Sequence, residues 1–93
     1  MFYFYVLYSL KDHKLYKGYS ANISKRFLHH QAGATISTKN RRPLVLIYLE
    51  GFNSKKEAIQ RERWAKSRQG GPQLKILLQE KDILDEDSQL KLA

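Results

Sequence analysis

Residues 3–18, YFYVLYSLKDHKLYKG, decide how the chain begins to fold. Two segments rich in aromatic and β-branched residues, which favour strands, flank the polar stretch SLKDHK. Asp12 in that stretch suits a turn, because its side chain can bind nearby backbone amides. The pattern therefore predicts a β-hairpin over residues 2–20.

Tyrosines are the unusual feature of this hairpin. Because every second residue of a strand shares a face, Tyr3 and Tyr5 should point to one face and Phe4 to the other. Tyr16 and Gly18 should share a face of the second strand. Packing alone accounts for the apolar residues of the hairpin but not for the number of its phenol groups.

A helix is predicted directly after the hairpin, over residues 23–32. Asn22 can cap its first turn, and Gly33 is a typical stop. Ile23 and Phe27 then define its buried stripe at 100° per residue.

A third strand and two further helices complete the pattern β-β-α-β-α-α. LVLIYLEGF, residues 44–52, is an almost unbroken apolar run and predicts the central strand of the sheet. In SKKEAIQRERWAKS, Ser54 and Glu57 form a capping box that starts a helix. RQGGP should then break the chain before a last helix over residues 73–84.

The charge of the chain is uneven. Residues 1–78 hold 15 basic and 4 acidic residues, a balance of +11, whereas residues 79–93 hold 2 basic and 5 acidic residues. So basic a domain most often faces a polyanion, and DNA and RNA are the main ones in cells; a merely solubilising surface is the alternative. The acidic tail fits a disordered end, a charged helix or a screen over the basic surface.

Few residues are candidates for chemistry. Glu62 falls inside the apolar arc of its helix, where a carboxylate is costly without a partner or a cation. Arg26 and His30, four residues apart, should sit together at the border between core and solvent. Ion pairing of Glu62 and simple packing of the Arg26 and His30 pair are the structural alternatives.

The motifs of several other classes of site are missing from the sequence. The chain has no cysteine, no HExxH motif and no carboxylate cluster, which argues against zinc and two-metal sites. It also lacks the GxxxxGK[ST] and GxGxxG loops that hold nucleotides. We expect no signal peptide and no membrane span, so a cytoplasmic location fits.

Taken together, these residues resemble the GIY-YIG nuclease domain, and in particular its small standalone members. The resemblance covers roughly residues 2–78 and rests on the order and spacing of several strings. These are YFY, KLYKGYS, the helix with Asn22, Arg26 and His30, the loop STKNRRP, and EAIQRERWAK. Tyr3 and Phe4 stand where the motif name has Gly and Ile, and Lys17 stands for the second Ile.

The resemblance implies an α+β fold in which a three-stranded antiparallel sheet is flanked by helices. It implies an active site on one sheet face, formed by Tyr5, Tyr16, Arg26, His30 and Glu62. Gly18 and Asn22 belong to the structural motif. No clear equivalent is present for the C-terminal asparagine of some family nucleases.

The implied chemistry is metal-dependent hydrolysis of phosphodiester bonds. Glu62 would hold a single Mg²⁺ or Mn²⁺, since Mg²⁺ keeps several waters and takes further ligands from phosphate. Arg26 would stabilise the charge that builds on the phosphate, because a guanidinium can fork onto two oxygens. Tyr5, Tyr16 and His30 all remain candidates for the general base.

Basic residues outside this set suggest contacts with a nucleic-acid backbone, which position a strand without reading its sequence. DNA is the favoured partner and RNA the alternative. The candidate contacts are Lys17, Lys25, Lys39, Arg41, Arg42 and Lys66.

Two functions of different classes follow. The first is a structure- or strand-selective endonuclease module; the second is a non-catalytic nucleic-acid-binding domain with the same fold and basic face. A homodimer, or a protein partner that supplies specificity, is compatible with either. We expect a nuclease-like domain over residues 1–80 and an acidic C-terminal tail over residues 81–93.

Overall fold

The hairpin and a third strand form one antiparallel sheet. In the computed structural model, which describes residues 1–91, the strands are β1 (Phe2–Ser9), β2 (Leu15–Ser20) and β3 (Leu44–Phe52). Their order in the sheet is β2-β1-β3, and both pairings are antiparallel. Together with three helices, this sheet confirms the α+β prediction.

The turn of the hairpin is built as the sequence predicts. The Asp12 carboxylate accepts a hydrogen bond from the Lys14 amide at 2.9 Å. The next residue, His13, has a positive φ of 60°, which reverses the chain. Its imidazole also bonds the Tyr8 hydroxyl at 3.0 Å, so the turn is tied to the central strand.

The prediction that residues 44–52 form the central strand was wrong, because β1 lies at the centre and β3 at an edge. The apolar run of β3 has another cause. Val6 pairs with Tyr48 and Leu7 with Leu46, which leaves Ile47 as an extra residue in a bulge. Ile47 and Tyr48 consequently both pack against the same apolar cluster, and the usual alternation is lost.

Within residues 1–91, three helices and one short 3-10 helix pack around the sheet. They are α1 (Ile23–Gln31), the 3-10 helix Lys39–Arg41, α2 (Lys55–Lys66) and α3 (Gly70–Glu80). The predicted caps are present: Asn22 accepts from the Lys25 amide and Ser54 from the Glu57 amide. α1 is followed by Gly33 with φ 77°, as predicted.

The bounds predicted for the last helix were wrong. α3 begins at Gly70, inside the segment expected to break the chain. Pro72 is tolerated there because the first amides of a helix have no partner within the helix. The helix ends at Glu80, and Asp82 has a positive φ of 60° that turns the chain back.

Each face of the sheet has its own apolar cluster. Phe4, Val6 and Tyr8 pack with residues of α2 and α3, including Ala65 and Leu74. On the opposite face, Tyr5, Leu7 and Leu44 pack against residues of α1. The predicted division of β1 into two faces is confirmed, and it places Tyr5 on the α1 side.

The segment after α3 folds back onto the domain. Leu84 is 2% exposed and belongs to the cluster under α2 and α3. Leu84 also pairs with Leu90 in an isolated β-bridge, and the Asp85 carboxylate accepts from the amides of Asp87 and Gln89. Residues 81–91 are therefore a packed turn; residues 92 and 93 of the predicted tail lie outside the described residues.

Over the described part of the chain, none of the helices is both long and apolar enough to span a bilayer.

Candidate active site

A cavity of about 350 Å³ opens beside edge strand β2. Side chains from β1, β2, α1 and α2 meet there, although they are far apart in the sequence. Its lining residues are Tyr5, Tyr16, Gly18, Tyr19, Ser20, Arg26 and Glu62. Four of the five residues predicted to form the active site are thus brought to one cavity.

Tyr5 and Arg26 are directly bonded in this cavity. The Arg26 Nε–H donates to the Tyr5 hydroxyl oxygen at 3.3 Å. Burial raises the pKa of the Tyr5 phenol, and the nearby Arg26 charge opposes this only in part. The same hydrogen bond raises the pKa of Arg26, which is charged in any case.

Gly18 is required by the position of the Tyr5 ring. The two residues are paired across β1 and β2, so they lie side by side on one face. A Cβ atom at position 18 would lie 2.5 Å from Tyr5 Cζ and closer still to the hydroxyl oxygen. The missing side chain therefore creates the space in which the phenol meets Arg26.

His30 lies behind Tyr5 and does not line the cavity. Although we expected it at the border with solvent, it is fully buried. Its Nε2 atom is 3.0 Å from the Tyr5 hydroxyl, and its Nδ1 atom is 2.7 Å from Thr38 Oγ1. Burial, and secondarily the charge of Arg26, lower the pKa of His30 to about 4. The imidazole is therefore neutral at neutral pH.

Glu62 reaches the cavity from α2. Its side chain is 18% exposed, and the ammonium of Lys66 lies 3.5 Å from its Oε2 atom. The same ammonium stands 5.8 Å above the centre of the Tyr16 ring. The adjacent Arg61 bonds Glu50 of β3 at 2.7 Å, which holds this part of α2 on the sheet.

The residues present fit a loosely held divalent ion. Residues 1–91 contain no group of three or more His, Asp or Glu side chains that could enclose a metal. Glu62 offers one carboxylate at a cavity that is also lined by Ser20 and three tyrosines. Mg²⁺ commonly takes one or two carboxylates and fills its octahedron with waters and substrate phosphate, so this donor set suffices.

The basic residues named from the sequence fall into different environments. Lys17 is half-buried on β2, and burial together with repulsion from Lys75, Lys66 and Arg41 lowers its pKa. Arg41 is paired with Asp12 at 3.0 Å.

The remaining basic residues surround the loop and α1. The Arg42 guanidinium donates to the carbonyls of Lys39 and Gln31. Lys25 and Lys39 have exposed side chains. The structure thus groups Lys17 and Lys66 with Lys75, which the sequence did not single out, and leaves Lys25 and Lys39 at the surface.

Three residues at the site were missed by the sequence reasoning. Ser20 could have been predicted, because every second residue of a strand shares a face and Ser20 follows Tyr16 and Gly18 at that spacing. Tyr19 also lines the cavity at this sheet edge. Thr38 sits in a polar loop, and nothing in the local pattern indicates that its hydroxyl would reach His30.

Comparison with known proteins identifies the family. The model of the GIY-YIG catalytic domain matches residues 1–71. Because this match covers most of the chain, the protein belongs to the GIY-YIG family, as the sequence motifs predicted. The family is one of endonucleases, and its members generally use divalent metal ions and act on DNA.

The similar proteins are themselves short. A UPF0213 protein of Staphylococcus haemolyticus is 44% identical over 68 residues, which cover 72% of this chain and 83% of the relative. Another, from Staphylococcus saprophyticus, is 40% identical over 76 residues, covering 81% and 92%. The solution structure of a UPF0213 protein from Bacillus halodurans matches with a TM-score of 0.52 at 34% identity, covering 83% of this chain and 85% of that one.

Proposed function

We propose that this protein is a divalent-metal-dependent endonuclease that hydrolyses phosphodiester bonds in DNA, selecting strand or structure rather than sequence. One observation carries the proposal: Tyr5, Tyr16, Arg26 and Glu62 come from four different elements and line one cavity. Packing alone does not require a tyrosine pair, a guanidinium and a carboxylate to converge on open space.

Arg26 is suited to bind the phosphate that is cut. Its Nε–H is engaged by Tyr5, and the guanidinium has four further N–H groups. These groups can donate to two phosphate oxygens at once and stabilise the negative charge of the transition state. The bond to Tyr5 fixes the guanidinium at the cavity before substrate arrives.

The tyrosines are suited to handle the proton of the attacking water. Tyr5 is held by Arg26 and His30, whereas Tyr16 packs edge-on against the His30 ring with 5.1 Å between ring centres. A positioned proton acceptor contributes roughly 10²- to 10⁴-fold to a rate. Tyr5 and Tyr16 both line the cavity in which that water would stand.

Glu62 would hold the metal ion. Mg²⁺ or Mn²⁺ there would supply positive charge to the scissile phosphate and to the leaving 3′ oxygen. In the absence of substrate the Lys66 ammonium, 3.5 Å from Glu62, supplies the positive charge that this half-buried carboxylate needs. A metal ion bound by Glu62 would therefore take the place of the Lys66 ammonium.

Lysines outside the cavity are suited to bind the phosphates that flank the cut. Lys17 is half-buried, and Lys66 and Lys75 each lie close enough to repel its ammonium. Ion-pairing a phosphate backbone would relieve that repulsion. Lys25 and Lys39 are further candidates because their ammonium groups face solvent.

The test is incubation with labelled single-stranded, duplex and branched DNA and with RNA, in Mg²⁺, in Mn²⁺ and in chelator. We expect cleavage of at least one DNA substrate in metal and none in chelator. Preferential cleavage of RNA would correct the substrate class. Binding without cleavage in either metal would overturn the proposal in favour of a non-catalytic nucleic-acid-binding domain.

A further inference from the structure

Thr38 is a buried residue that the proposed chemistry does not use. It lies in the loop before the 3-10 helix and is fully buried, although its side chain is polar. Its Oγ1 atom is 2.7 Å from His30 Nδ1. Within residues 1–91, His30 Nδ1 is the one polar atom that the structure places within bonding distance of the Thr38 hydroxyl.

Counting donors and acceptors assigns the proton between these two atoms. If Nδ1 carried the proton, it would donate to Thr38, and the Thr38 O–H would then be a buried donor without an acceptor. Buried donors are rarely left in that state because the desolvation cost is not recovered. The Thr38 O–H therefore donates to Nδ1.

Because Nδ1 is unprotonated, the protonation of the other ring nitrogen, Nε2, is also determined. A neutral imidazole carries one proton, so an unprotonated Nδ1 requires a protonated Nε2. The ring is neutral because it is buried beside the Arg26 charge, which lowers the pKa of His30 to about 4. His30 consequently donates its Nε2–H to the Tyr5 oxygen, 3.0 Å away.

Tyr5 then receives two hydrogen bonds at its oxygen. One comes from His30 Nε2–H and the other from Arg26 Nε–H at 3.3 Å. A phenol oxygen has two lone pairs and one proton, so both lone pairs are used and the O–H is left. Since Tyr5 lines the cavity, that proton is available to a water or a phosphate there.

We propose that Thr38 is a positioning residue that holds His30 in the Nε2–H form and so directs the Tyr5 hydroxyl proton into the cavity. The effect of Thr38 on cleavage rests on the proposed nuclease function. The protonation state of His30 does not depend on that function. It removes His30 from the three candidates for the general base, because Nε2 already carries a proton and Nδ1 is engaged by Thr38. Tyr16 remains a candidate, whereas Tyr5, with both lone pairs engaged and a pKa raised by burial, could act as the base only as a phenolate.

The opposite tautomer makes a different prediction. With the proton on Nδ1, Nε2 would accept the Tyr5 O–H, and that proton would point into the core. His30 would then be able to take a proton from Tyr5 and act as a relay. The two tautomers are therefore two mechanisms, and they can be distinguished without any activity measurement.

The first test is a two-bond ¹H–¹⁵N correlation spectrum of the uniformly ¹⁵N-labelled protein at neutral pH. The ¹⁵N shifts of a histidine ring report which nitrogen is protonated. We expect His30 to show a protonated Nε2 and an unprotonated Nδ1. A protonated Nδ1 would overturn the proposal, whether or not the protein cleaves DNA.

The second test compares Thr38→Val, which removes the hydroxyl, with Thr38→Ser, which keeps it. We expect kcat of Thr38→Val to fall about tenfold, the equivalent of one hydrogen bond, with KM within about twofold. Thr38→Ser should keep the wild-type tautomer and most of kcat. Equal kcat in wild type and a folded Thr38→Val would overturn the positioning role.

The two tests separate the inference from the function it builds on. Absence of cleavage by the wild-type protein would count against the proposed function alone, because the spectrum still decides the tautomer. Should Thr38→Val fail to fold, Thr38→Ala at reduced temperature provides the same comparison, and the wild-type spectrum is unaffected.

Discussion

Gly18 lies across the strand pair from Tyr5, and the Tyr5 ring fills the space in which a side chain at position 18 would stand. The relationship connects the hairpin to the site. Because position 18 has no side chain, the phenol can lie over Gly18 and reach both Arg26 and His30. Gly18, in the second motif, is therefore required for the position of the Tyr5 ring, in the first motif.

Gly18→Ala should disturb both stability and activity. The added Cβ would press on Tyr5, and such overpacking of a buried site costs about 1–3 kcal/mol in the free energy of unfolding. Gly71→Ala is the matched control, since its Cβ would meet its nearest neighbour at an ordinary 3.5 Å. Urea unfolding of both variants measures the difference. Equal free energies of unfolding would show that Tyr5 moves aside without cost.

The stability of the protein should fall on acidification partly because of His30. Its pKa is about 4 in the folded protein against 6.5 when free, so the unfolded chain takes up a proton first as the pH falls. This contribution is fully present above pH 6.5 and is lost between 6.5 and about 4. Between neutral pH and about pH 4.5 it amounts to roughly 2 kcal/mol.

Urea unfolding at the two pH values measures this contribution. In His30→Gln the loss of stability on acidification should be smaller by that amount. The control is His29→Gln, at the exposed neighbouring histidine; it removes only the smallest of the three causes that lower the pKa of His30, so it should lose almost as much stability on acidification as the wild type. An identical pH dependence in wild type and His30→Gln would show that His30 is not the group responsible.

Tyr16→Phe should reduce cleavage without unfolding the protein. Tyr16 is half-buried at the cavity, and the substitution removes only its hydroxyl. If that hydroxyl exchanges the proton of the attacking water, kcat should fall roughly 10²-fold or more. Tyr3→Phe, outside the cavity, controls for loss of a phenol from the same sheet. Undiminished kcat in Tyr16→Phe would assign the proton exchange to Tyr5.

Binding to nucleic acid should depend on salt through the lysine group Lys17, Lys66 and Lys75. Each phosphate that a lysine neutralises contributes about −0.9 to the slope of log affinity against log salt concentration on duplex DNA. Lys17→Gln and Lys75→Gln should each make the slope shallower by roughly that amount. Fluorescence anisotropy at several salt concentrations provides the slopes.

The control for this measurement is Lys56→Gln. Lys56 is exposed at the start of α2 and lines a different depression with Lys55, Ile59, Gln60 and Arg63. The salt slope of Lys56→Gln should match that of the wild type. Equal effects of Lys56→Gln and Lys17→Gln would indicate that net charge, rather than this group of lysines, controls binding.

Much of the fold could be predicted because local chemistry and periodicity agree in most elements. The turn at Asp12, the caps at Asn22 and Ser54 and the two faces of β1 all depend on neighbours within a few residues. The central strand was misassigned because a bulge at Ile47 removes the alternation of β3. Bulges depend on pairing with a second strand, which no local pattern reveals.

The candidate site was predictable to a similar extent. Tyr5, Tyr16, Arg26 and Glu62 could be named because the family motifs place them at characteristic spacings, and all four line the cavity. The depth of His30 and its bond to Thr38 could not be predicted, since both depend on how the loop after α1 packs back against that helix. Lys75 was missed for the same reason: it meets Lys17 only through the packing of α3.

The most direct measurement is the rate of DNA cleavage by Glu62→Gln as the Mg²⁺ concentration is varied. If Glu62 holds the metal ion, the loss of its charge should abolish Mg²⁺-dependent cleavage while leaving the fold and the binding of DNA in place. Glu80→Gln, at the exposed end of α3, should cleave as the wild type does. Wild-type rates and wild-type Mg²⁺ dependence in Glu62→Gln would contradict the account.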